Sequence, residues 1–254
     1  MKKDYRPFVV AANWKMHKSP REAGEFLKSF AAQSAKRPLG AECEVIFFVP
    51  AIDLLVAAET LRESKVKWGA QNCYFETKGA FTGENSPAVL AEIGAGYTLV
   101  GHSERRAIFH ELDADTGKKV KALHGVGIVP MLCVGETLTE REAGRTNEVI
   151  LRQLRAGLEH RNPSKGVIVA YEPVWAIGTG KVATAEQAND AHLALRQGLK
   201  DLGGEAFANA TPILYGGSVR PENAAELGAQ SEIDGFLVGG ASLEIATFLP
   251  LVPQ

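Results

Sequence analysis

The sequence has few cysteines, almost no excess of charge of either sign, and no long apolar run. Its three cysteines, Cys43, Cys73 and Cys133, are scattered and form no C-x-x-C pair. That spacing excludes a disulfide framework and a cysteine-only zinc site, and it is typical of a reducing cytosol. The 28 Lys and Arg nearly balance the 30 Asp and Glu, which leaves a net charge of −2. We therefore expect no nucleic-acid partner and no anionic membrane partner.

The apolar runs are too short for targeting or for crossing a membrane. The first, 8–12, reaches Asn13 after five residues, whereas the apolar core of a signal peptide needs roughly 7–15. The stretch 45–58 is interrupted by Pro50 and Asp53 and falls short of the ~20 apolar residues of a membrane span. We expect a soluble, cytoplasmic protein.

Short apolar runs rich in Val and Ile recur along the chain. Because they do not alternate with polar residues, they predict strands that are covered on both faces, as in a parallel sheet. The eight runs are Phe8–Ala12, Val45–Val49, Val66–Ala70, Tyr97–Val100, Ile128–Val134, Val167–Tyr171, Pro212–Tyr215 and Gly235–Val238.

Helix-start and helix-stop residues lie between these runs. Capping boxes are present at Ser19–Glu22 and Thr184–Gln187, and Ser86–Pro87 combines an N-cap residue with Pro at the first helical position. Glycines at Gly125 and at Gly203–Gly204 predict helix ends. The chain therefore alternates strands with helices.

This alternation predicts an α/β fold, a single (β/α)8 TIM barrel of eight parallel strands surrounded by helices. Eight units in 254 residues give about 32 residues per unit, as in a barrel of roughly 250 residues. No linker or low-complexity stretch divides the chain, so we expect one domain over residues 1–254. An open doubly wound sheet is the alternative, but it usually carries a glycine-rich fingerprint after the first strand. Here that strand leads into Asn13-Trp14-Lys15.

Polar and glycine residues follow several of the predicted strands. In a barrel the active site lies at the carboxyl ends of the strands, so these residues are expected to converge on one rim. They are Asn13 and Lys15 after the first run, His102 after the fourth, Glu172 after the sixth, Gly216-Gly217-Ser218 after the seventh, and Gly239-Gly240 after the eighth.

The carboxylate and the imidazole predict proton transfer next to a carbonyl group. A dry, apolar site would raise the pKa of Glu172 and make it a general base, although a solvated acid is the alternative. His102 would polarise the carbonyl oxygen, held neutral by the start of the helix that follows it; a buried core histidine is its alternative. Lys15 would stabilise the developing oxyanion, with Asn13 as a neutral donor. Residues 173–183 have the character of a lid that excludes water.

The two glycine turns predict a phosphate site. Backbone N–H groups of Ser218, Gly239 and Gly240 can approach an anion closely, and the segments 221–227 and 242–248 are predicted to be short helices behind them. Loops after the seventh and eighth strands hold phosphate in many barrels. The six histidines show no metal-ligand spacing, so no metal site is expected.

Five blocks of sequence closely resemble the triosephosphate isomerase family. The resemblance covers nearly the whole chain in order, and the histidine and glutamate blocks are long and specific. The blocks are Asn13-Trp14-Lys15-Met16, Gly101-His102-Ser103-Glu104-Arg105-Arg106, Tyr171-Glu172-Pro173-Val174-Trp175-Ala176-Ile177-Gly178-Thr179-Gly180, Tyr215-Gly216-Gly217-Ser218 and Leu237-Val238-Gly239-Gly240-Ala241-Ser242.

The resemblance implies cofactor-free interconversion of dihydroxyacetone phosphate and glyceraldehyde 3-phosphate in glycolysis and gluconeogenesis. It implies that Glu172 abstracts the proton and that neutral His102 acts as electrophile and proton shuttle. Lys15 and Asn13 would stabilise the enediolate, and Glu104 would contact the lysine.

The resemblance also implies which residues bind the substrate phosphate and how the chain assembles. Gly178 on the closed lid would hold the phosphate together with Ser218, Gly239 and Gly240. The stretch from Gln71 to Ser86 resembles the family's dimer loop, which implies a homodimer. Thr82 would then reach the partner subunit's Asn13 and the partner subunit's Lys15.

Two other functions remain open from the residues alone. A barrel enzyme acting on another phosphorylated sugar or on an indole precursor would share the phosphate turns but lack the blocks around His102 and Glu172. A non-catalytic phosphate-binding or surface-interaction protein on the same barrel should have lost one of the four reacting side chains. None of the four is missing.

Overall fold

The computed structural model describes residues 6–36, 40, 43–177 and 182–253. Eight strands alternate with helices along this part of the chain. The strands are β1 (Phe8–Asn13), β2 (Cys43–Val49), β3 (Lys67–Ala70), β4 (Tyr97–Val100), β5 (Val129–Val134), β6 (Ile168–Tyr171), β7 (Ile213–Tyr215) and β8 (Gly235–Val238). The helices are α1 (Pro20–Lys36), α2 (Leu54–Thr60), α3 (Pro87–Glu92), α4 (Ser103–Ile108), α5 (Asp113–Val126), α6 (Leu138–Glu142), α7 (Thr146–Leu158), α8 (Ala185–Ala210), α9 (Pro221–Gly228) and α10 (Ile245–Phe248).

The strands form a closed parallel barrel in sequence order, β1 to β8. Closure is made by β8 pairing with β1, where Val9 lies opposite Gly235 and Ala12 opposite Val238. The predicted (β/α)8 barrel is therefore confirmed, and the open sheet is excluded. Each strand begins and ends within two residues of its predicted run.

Residues on the strands divide between two apolar layers, which explains why the runs do not alternate with polar residues. In β1, Val9 and Ala11 point into a cluster made of strand residues alone, inside the barrel. Val10 and Ala12 point into a larger cluster that also contains helix residues such as Leu27. Both faces of each strand are thus buried, as in other parallel barrels.

The predicted helix starts at Ser19, Ser86 and Thr184 are confirmed by hydrogen bonds. Ser19 and Glu22 form the reciprocal bonds of a capping box, and Ser86 Oγ accepts from the N–H of Val89. Thr184 and Gln187 form the second capping box. These caps satisfy N–H groups that have no partner within the helix.

Of three further predicted helix boundaries, two are wrong. Helix α5 continues past Gly125 and ends at Gly127, which has the positive φ of 80° that suits glycine. The predicted stop at Gly203–Gly204 is confirmed, because Gly204 has a non-helical backbone with φ 78° and ψ 176°; a further helical segment of α8 follows this break. The predicted helix 242–248 is divided into a 3-10 turn, Gly240–Leu243, and the single turn α10.

No helix within the described part of the chain is long and apolar enough to cross a membrane.

Candidate active site

A cavity of about 510 Å³ opens at the carboxyl ends of the strands. It is lined by residues from the loops after β1, β4, β6, β7 and β8. Among them are seven of the residues predicted from the sequence: Asn13, Lys15, His102, Glu172, Ser218, Gly239 and Gly240. The structure therefore brings the amide, ammonium, imidazole and carboxylate groups together with the two glycine turns.

Glu172 directly follows β6 and is almost fully buried, with 2% of its surface exposed. Its Oε1 lies 2.9 Å from Nε2 of His102, and its Oε2 accepts a hydrogen bond of 3.0 Å from the N–H of Ser103. Both carboxylate oxygens are therefore held by groups that follow β4. The carboxylate and the imidazole, 70 residues apart in sequence, are in direct contact.

His102 caps the amino end of α4. Its Nδ1 accepts a hydrogen bond of 3.2 Å from the N–H of Glu104, so Nδ1 carries no hydrogen. The proton is therefore assigned to Nε2, from which it is donated to Glu172. This is the neutral tautomer, because a ring protonated at both nitrogens would turn an N–H toward the N–H of Glu104.

The contact with His102 decides the direction of the pKa shift of Glu172. Burial raises the pKa of this carboxyl, but the contact with His102, the hydrogen bond from the N–H of Ser103 and the charge of Lys15 together lower it by more, and the net pKa is lowered. Our expectation of a raised pKa is wrong for this arrangement, because the carboxylate has donors as well as a dry environment.

The same contact acts on the imidazole in the opposite direction. Burial lowers the pKa of His102, but the charge and hydrogen bond of Glu172 raise it, and the net pKa is raised. The Glu104 N–H opposes this shift because it occupies Nδ1, and we assign the neutral ring on that geometry. Glu172 raises the pKa of His102 in this way only while the two side chains are in contact.

Lys15 has a left-handed backbone conformation, with φ 53°. Its N–H, its carbonyl oxygen and its ammonium each bind a different residue. Oδ1 of Asn13 accepts from the N–H of Lys15 at 3.0 Å, and Nε2 of Gln71 donates to its carbonyl oxygen at 2.9 Å. Its ammonium lies 2.6 Å from Oε1 of Glu104. Non-glycine residues rarely adopt a positive φ, so these contacts stabilise a strained backbone beside the cavity.

Gln71 thus has a contact that the sequence did not predict. We expected it to begin the dimer loop, and its amide also binds Phe48 O at 3.1 Å within its own subunit. The base of the 71–86 loop is therefore joined to β2 and to Lys15. Thr82, near the tip of this loop, is exposed.

Residues that follow β7 and β8 complete the lining of the cavity. Ser218, Gly239 and Gly240 line it together with Arg220 and Thr247, which the sequence analysis did not single out. Gly239 has φ −88° and ψ −106°, a combination that a residue with a Cβ disfavours. Backbone N–H groups, a hydroxyl and a guanidinium together suit an anion.

The family of the chain follows from comparison with known proteins. The family model for triosephosphate isomerase matches residues 8–254. A triosephosphate isomerase from Bdellovibrio bacteriovorus is 53% identical over 240 residues, covering 94% of this chain and 96% of that protein. The chain belongs to the triosephosphate isomerase family.

Further relatives show the same near-complete coverage. The triosephosphate isomerase of Lactobacillus delbrueckii subsp. bulgaricus is 46% identical over 246 residues, which is 96% of either chain. That of Ligilactobacillus salivarius is 45% identical over 246 residues, or 96% of this chain and 97% of that protein. The alignment with members of the triosephosphate isomerase family therefore spans the whole barrel.

Gly178, the residue for which family resemblance implies a phosphate contact from the lid, lies outside the described residues. The described part of the lid stops at Ile177, which lines the cavity, and begins again at Val182. The prediction for Gly178 therefore rests on the resemblance to the triosephosphate isomerase family.

Glu136 binds residues that precede and begin the predicted lid, and it was missed in the sequence. It is fully buried, and its Oε1 accepts from Nε1 of Trp175 at 2.9 Å and from the hydroxyl of Tyr171 at 3.1 Å. Arg141 is 3.2 Å from the same oxygen. The position of Glu136 just after β5 was a usable signal, because the other strand-end residues were chosen on that criterion.

Proposed function

We propose that this member of the family interconverts dihydroxyacetone phosphate and glyceraldehyde 3-phosphate through an enediolate. The observation that carries the proposal is the placement of Glu172 and His102 in one cavity with the two glycine turns. A three-carbon phosphate ester would put its phosphate on the turns and its carbonyl carbon beside the carboxylate. Proton transfer then needs no redox cofactor, because no electrons pass to a second molecule.

Glu172 is proposed to take the proton from one carbon and return it to the neighbouring carbon. While Glu172 is in contact with His102, its lowered pKa keeps the carboxylate ionised and ready to accept a proton. Substrate entering between Glu172 and His102 would replace their contact. Burial would then dominate the environment of Glu172, which raises its pKa and makes it the stronger base that the reaction needs.

His102, Lys15 and Asn13 are proposed to act on the substrate oxygens. The Nε2–H of His102 would turn from Glu172 to the carbonyl oxygen and carry protons between the two oxygens. The Lys15 ammonium would stabilise the negative charge of the enediolate, and Asn13 would support it as a neutral donor. Glu104 is proposed to position the lysine, which is supported by their 2.6 Å contact.

Ser218, Gly239 and Gly240 are proposed to bind the phosphate, with Gly178 closing over it by family resemblance. The unusual backbone of Gly239 supports this role, because it suits a close approach of N–H groups to an anion.

We further propose that the protein works as a homodimer in the cytoplasm, in glycolysis and gluconeogenesis, with residues 1–254 as one domain. Exposed apolar side chains on the same end of the barrel support the dimer: Met16 is 95% exposed and Phe109 is 64% exposed. Within the dimer loop, Asn85 Nδ2 donates to Asn72 O at 3.2 Å, which stabilises the loop for contact. Thr82 would reach the partner subunit's Lys15.

A coupled assay with glyceraldehyde 3-phosphate in metal-free buffer tests the reaction. We expect rapid formation of dihydroxyacetone phosphate without any added cofactor. A barrel enzyme for a different phosphorylated sugar would show no turnover of the triose phosphates. A non-catalytic phosphate-binding protein would bind inorganic phosphate and leave both triose phosphates unchanged.

Sedimentation tests the assembly separately. We expect a dimer, whereas a fully active monomer at micromolar concentration would contradict the proposed role of Thr82.

A further inference from the structure

A buried glutamine on α7 holds the backbone beside the proposed base. Gln153 is 6% exposed and is not among the described residues that line the cavity. Its Oε1 accepts from the N–H of Gly135 at 2.8 Å, and its Nε2 donates to the carbonyl oxygen of Gly135 at 3.2 Å. One side-chain amide therefore satisfies both backbone groups of Gly135.

Gly135 packs directly against the backbone of Glu172. A Cβ added to this glycine would lie 1.7 Å from the carbonyl oxygen of Glu172, closer than any two such atoms can approach. The absence of a side chain at Gly135 thus sets the separation between the end of β5 and the end of β6. Any shift of Gly135 toward β6 must move Glu172.

The residues on either side of Gly135 bind the segment that carries the base. Val134 O accepts from the N–H of Glu172 at 2.8 Å, and Glu136 O accepts from the N–H of Val174 at 3.1 Å. Gly135 is the middle residue of the three. Its own N–H and C=O point toward α7, where they bind Gln153. The amide of Gln153 is therefore what keeps Gly135 in place.

Helix α7 is close enough for this contact because of a second glycine. A Cβ on Gly157 would lie 2.5 Å from Leu132 of β5. Gly157 is four residues after Gln153, so the two share one face of α7. The close approach at Gly157 brings the Gln153 amide to the end of the strand.

We propose that Gln153 is a positioning residue for the general base, acting through Gly135. The proposal rests on the proposed isomerase reaction and names a residue outside the cavity on which that reaction depends. Loss of the amide leaves two buried backbone groups unpaired, and the end of β5 shifts to find other partners. Because a misplacement of about 1 Å can cost about 100-fold in rate, the effect falls on the chemical step.

The test is Gln153→Met, which keeps the length of the side chain and removes both hydrogen bonds. We expect kcat to fall by about 10- to 100-fold. We expect the KM for glyceraldehyde 3-phosphate and the inhibition constant of inorganic phosphate to stay close to wild type, because the glycine turns after β7 and β8 do not contact Gln153. A purely structural role would lower the melting temperature and leave kcat unchanged.

Gln197→Met is the matched control. Gln197 lies on α8, is exposed, and its amide contacts Asp201 on the same helix at 2.8 Å. We expect wild-type kcat and KM in this variant. An equal fall of kcat in both variants would overturn the proposal.

Gln153→Glu is a second route that remains available if Gln153→Met does not fold. The buried carboxyl can accept from the Gly135 N–H, but it can donate to the Gly135 carbonyl only when it is protonated. We therefore expect the ratio of its kcat to that of wild type to rise as the pH is lowered from 8 to 6. A ratio that is constant across this range, or a loss confined to KM, would overturn the proposal.

Inactivity of the wild-type protein toward triose phosphates would refute the proposed reaction itself. Wild-type activity with unchanged kcat in the Gln153 variants would refute only the role of Gln153.

Discussion

The two sides of the cavity are built from different parts of the chain. On the proton-transfer side, Glu172 and His102 are buried side chains, 2% and 6% exposed, that bind each other directly. On the side proposed to bind phosphate, Ser218, Gly239 and Gly240 are half-buried or exposed, and two of the three are glycines that offer only backbone groups. The first side depends on distances between particular side-chain atoms, and the second depends largely on backbone N–H groups that the glycines leave accessible. Changes on the first should therefore lower kcat, and changes on the second should raise KM.

Lys15→Ala should have the largest effect, because Lys15 lies between the two sides. We expect kcat/KM to fall by about 1000-fold or more, with both kcat and KM affected, since the charge serves the oxyanion and the substrate anion. Steady-state kinetics measures both. The fold should survive because the carboxylate of Glu104 that loses its partner is 41% exposed and can be hydrated. Activity near wild type would show that the charge is not needed.

Glu172→Asp should have the next largest effect, and that effect should fall almost entirely on kcat. Shortening the side chain withdraws the carboxylate by about one bond length, for which we expect a fall in kcat of about 100-fold or more. The KM and the inhibition constant of inorganic phosphate should change little, because the glycine turns are intact. Circular dichroism should be that of wild type. Unchanged kcat would remove Glu172 from the reaction.

Gly239→Ala should act mainly on KM rather than on kcat. The new Cβ would lie 3.5 Å from Cε of Lys15, and the backbone conformation at this position disfavours alanine. We expect KM to rise by about 10-fold, the equivalent of one weakened charge-assisted hydrogen bond, with a smaller change in kcat.

Gly125→Ala is the control for Gly239→Ala. Gly125 is within α5, where a Cβ meets no atom within 4 Å, so both kinetic constants should stay at wild type. If Gly239→Ala lowers kcat without raising KM, the division between the two sides is wrong.

His124→Leu should have the smallest effect on catalysis, because His124 lies at the other end of β6. Its Nδ1 accepts from the N–H of Asn162, and its Nε2 contacts Gly166 O, both at 3.0 Å. We expect wild-type kcat/KM and a loss of about 1–3 kcal/mol in the free energy of unfolding at pH 7.5.

The pH dependence of stability gives the matching measurement at His124. Burial lowers its pKa from the usual 6.5, so the unfolded chain binds more protons than the folded chain just below that pH. The stabilisation from neutral His124 is therefore complete above pH 6.5 and is lost as the pH falls toward the lowered pKa. Denaturant unfolding between pH 7.5 and 5.5 should show a smaller decline in His124→Leu than in wild type.

The sequence was sufficient to predict the barrel and to predict that seven candidate residues would meet in one cavity. Apolar runs without alternation identify strands buried on both faces, and the residues after them share a rim because parallel strands end on one side. Asn13, His102 and Glu172 were found by that geometry alone. The end of α5 was predicted at Gly125, whereas the helix ends at Gly127. Both positions are glycine, and glycine is the usual signal for the end of a helix.

Contacts between distant side chains could not be predicted in this way. The lowered pKa of Glu172 depends on a contact with His102, which a view of Glu172 in an apolar pocket leaves out. The amide of Gln153 and the carboxylate of Glu136 act on backbone and side-chain groups that only the folded barrel brings near. Resemblance assigned Gln71 to a loop, but the hydrogen bond from its amide to Lys15 O forms between residues far apart in the sequence, so no local pattern predicts it.

The pairing of β8 with β1 has a consequence for synthesis of the protein. Lys15 and Gly239 follow the two strands that close the ring, and both line the cavity, so its lining is complete only when the last strand has docked. A nascent chain still lacking β8 would contain Glu172 and His102 but would lack part of the cavity lining. Ribosome-bound or prematurely terminated products should therefore be inert toward the sugar phosphate until closure, which ties the onset of activity to the final step of assembly.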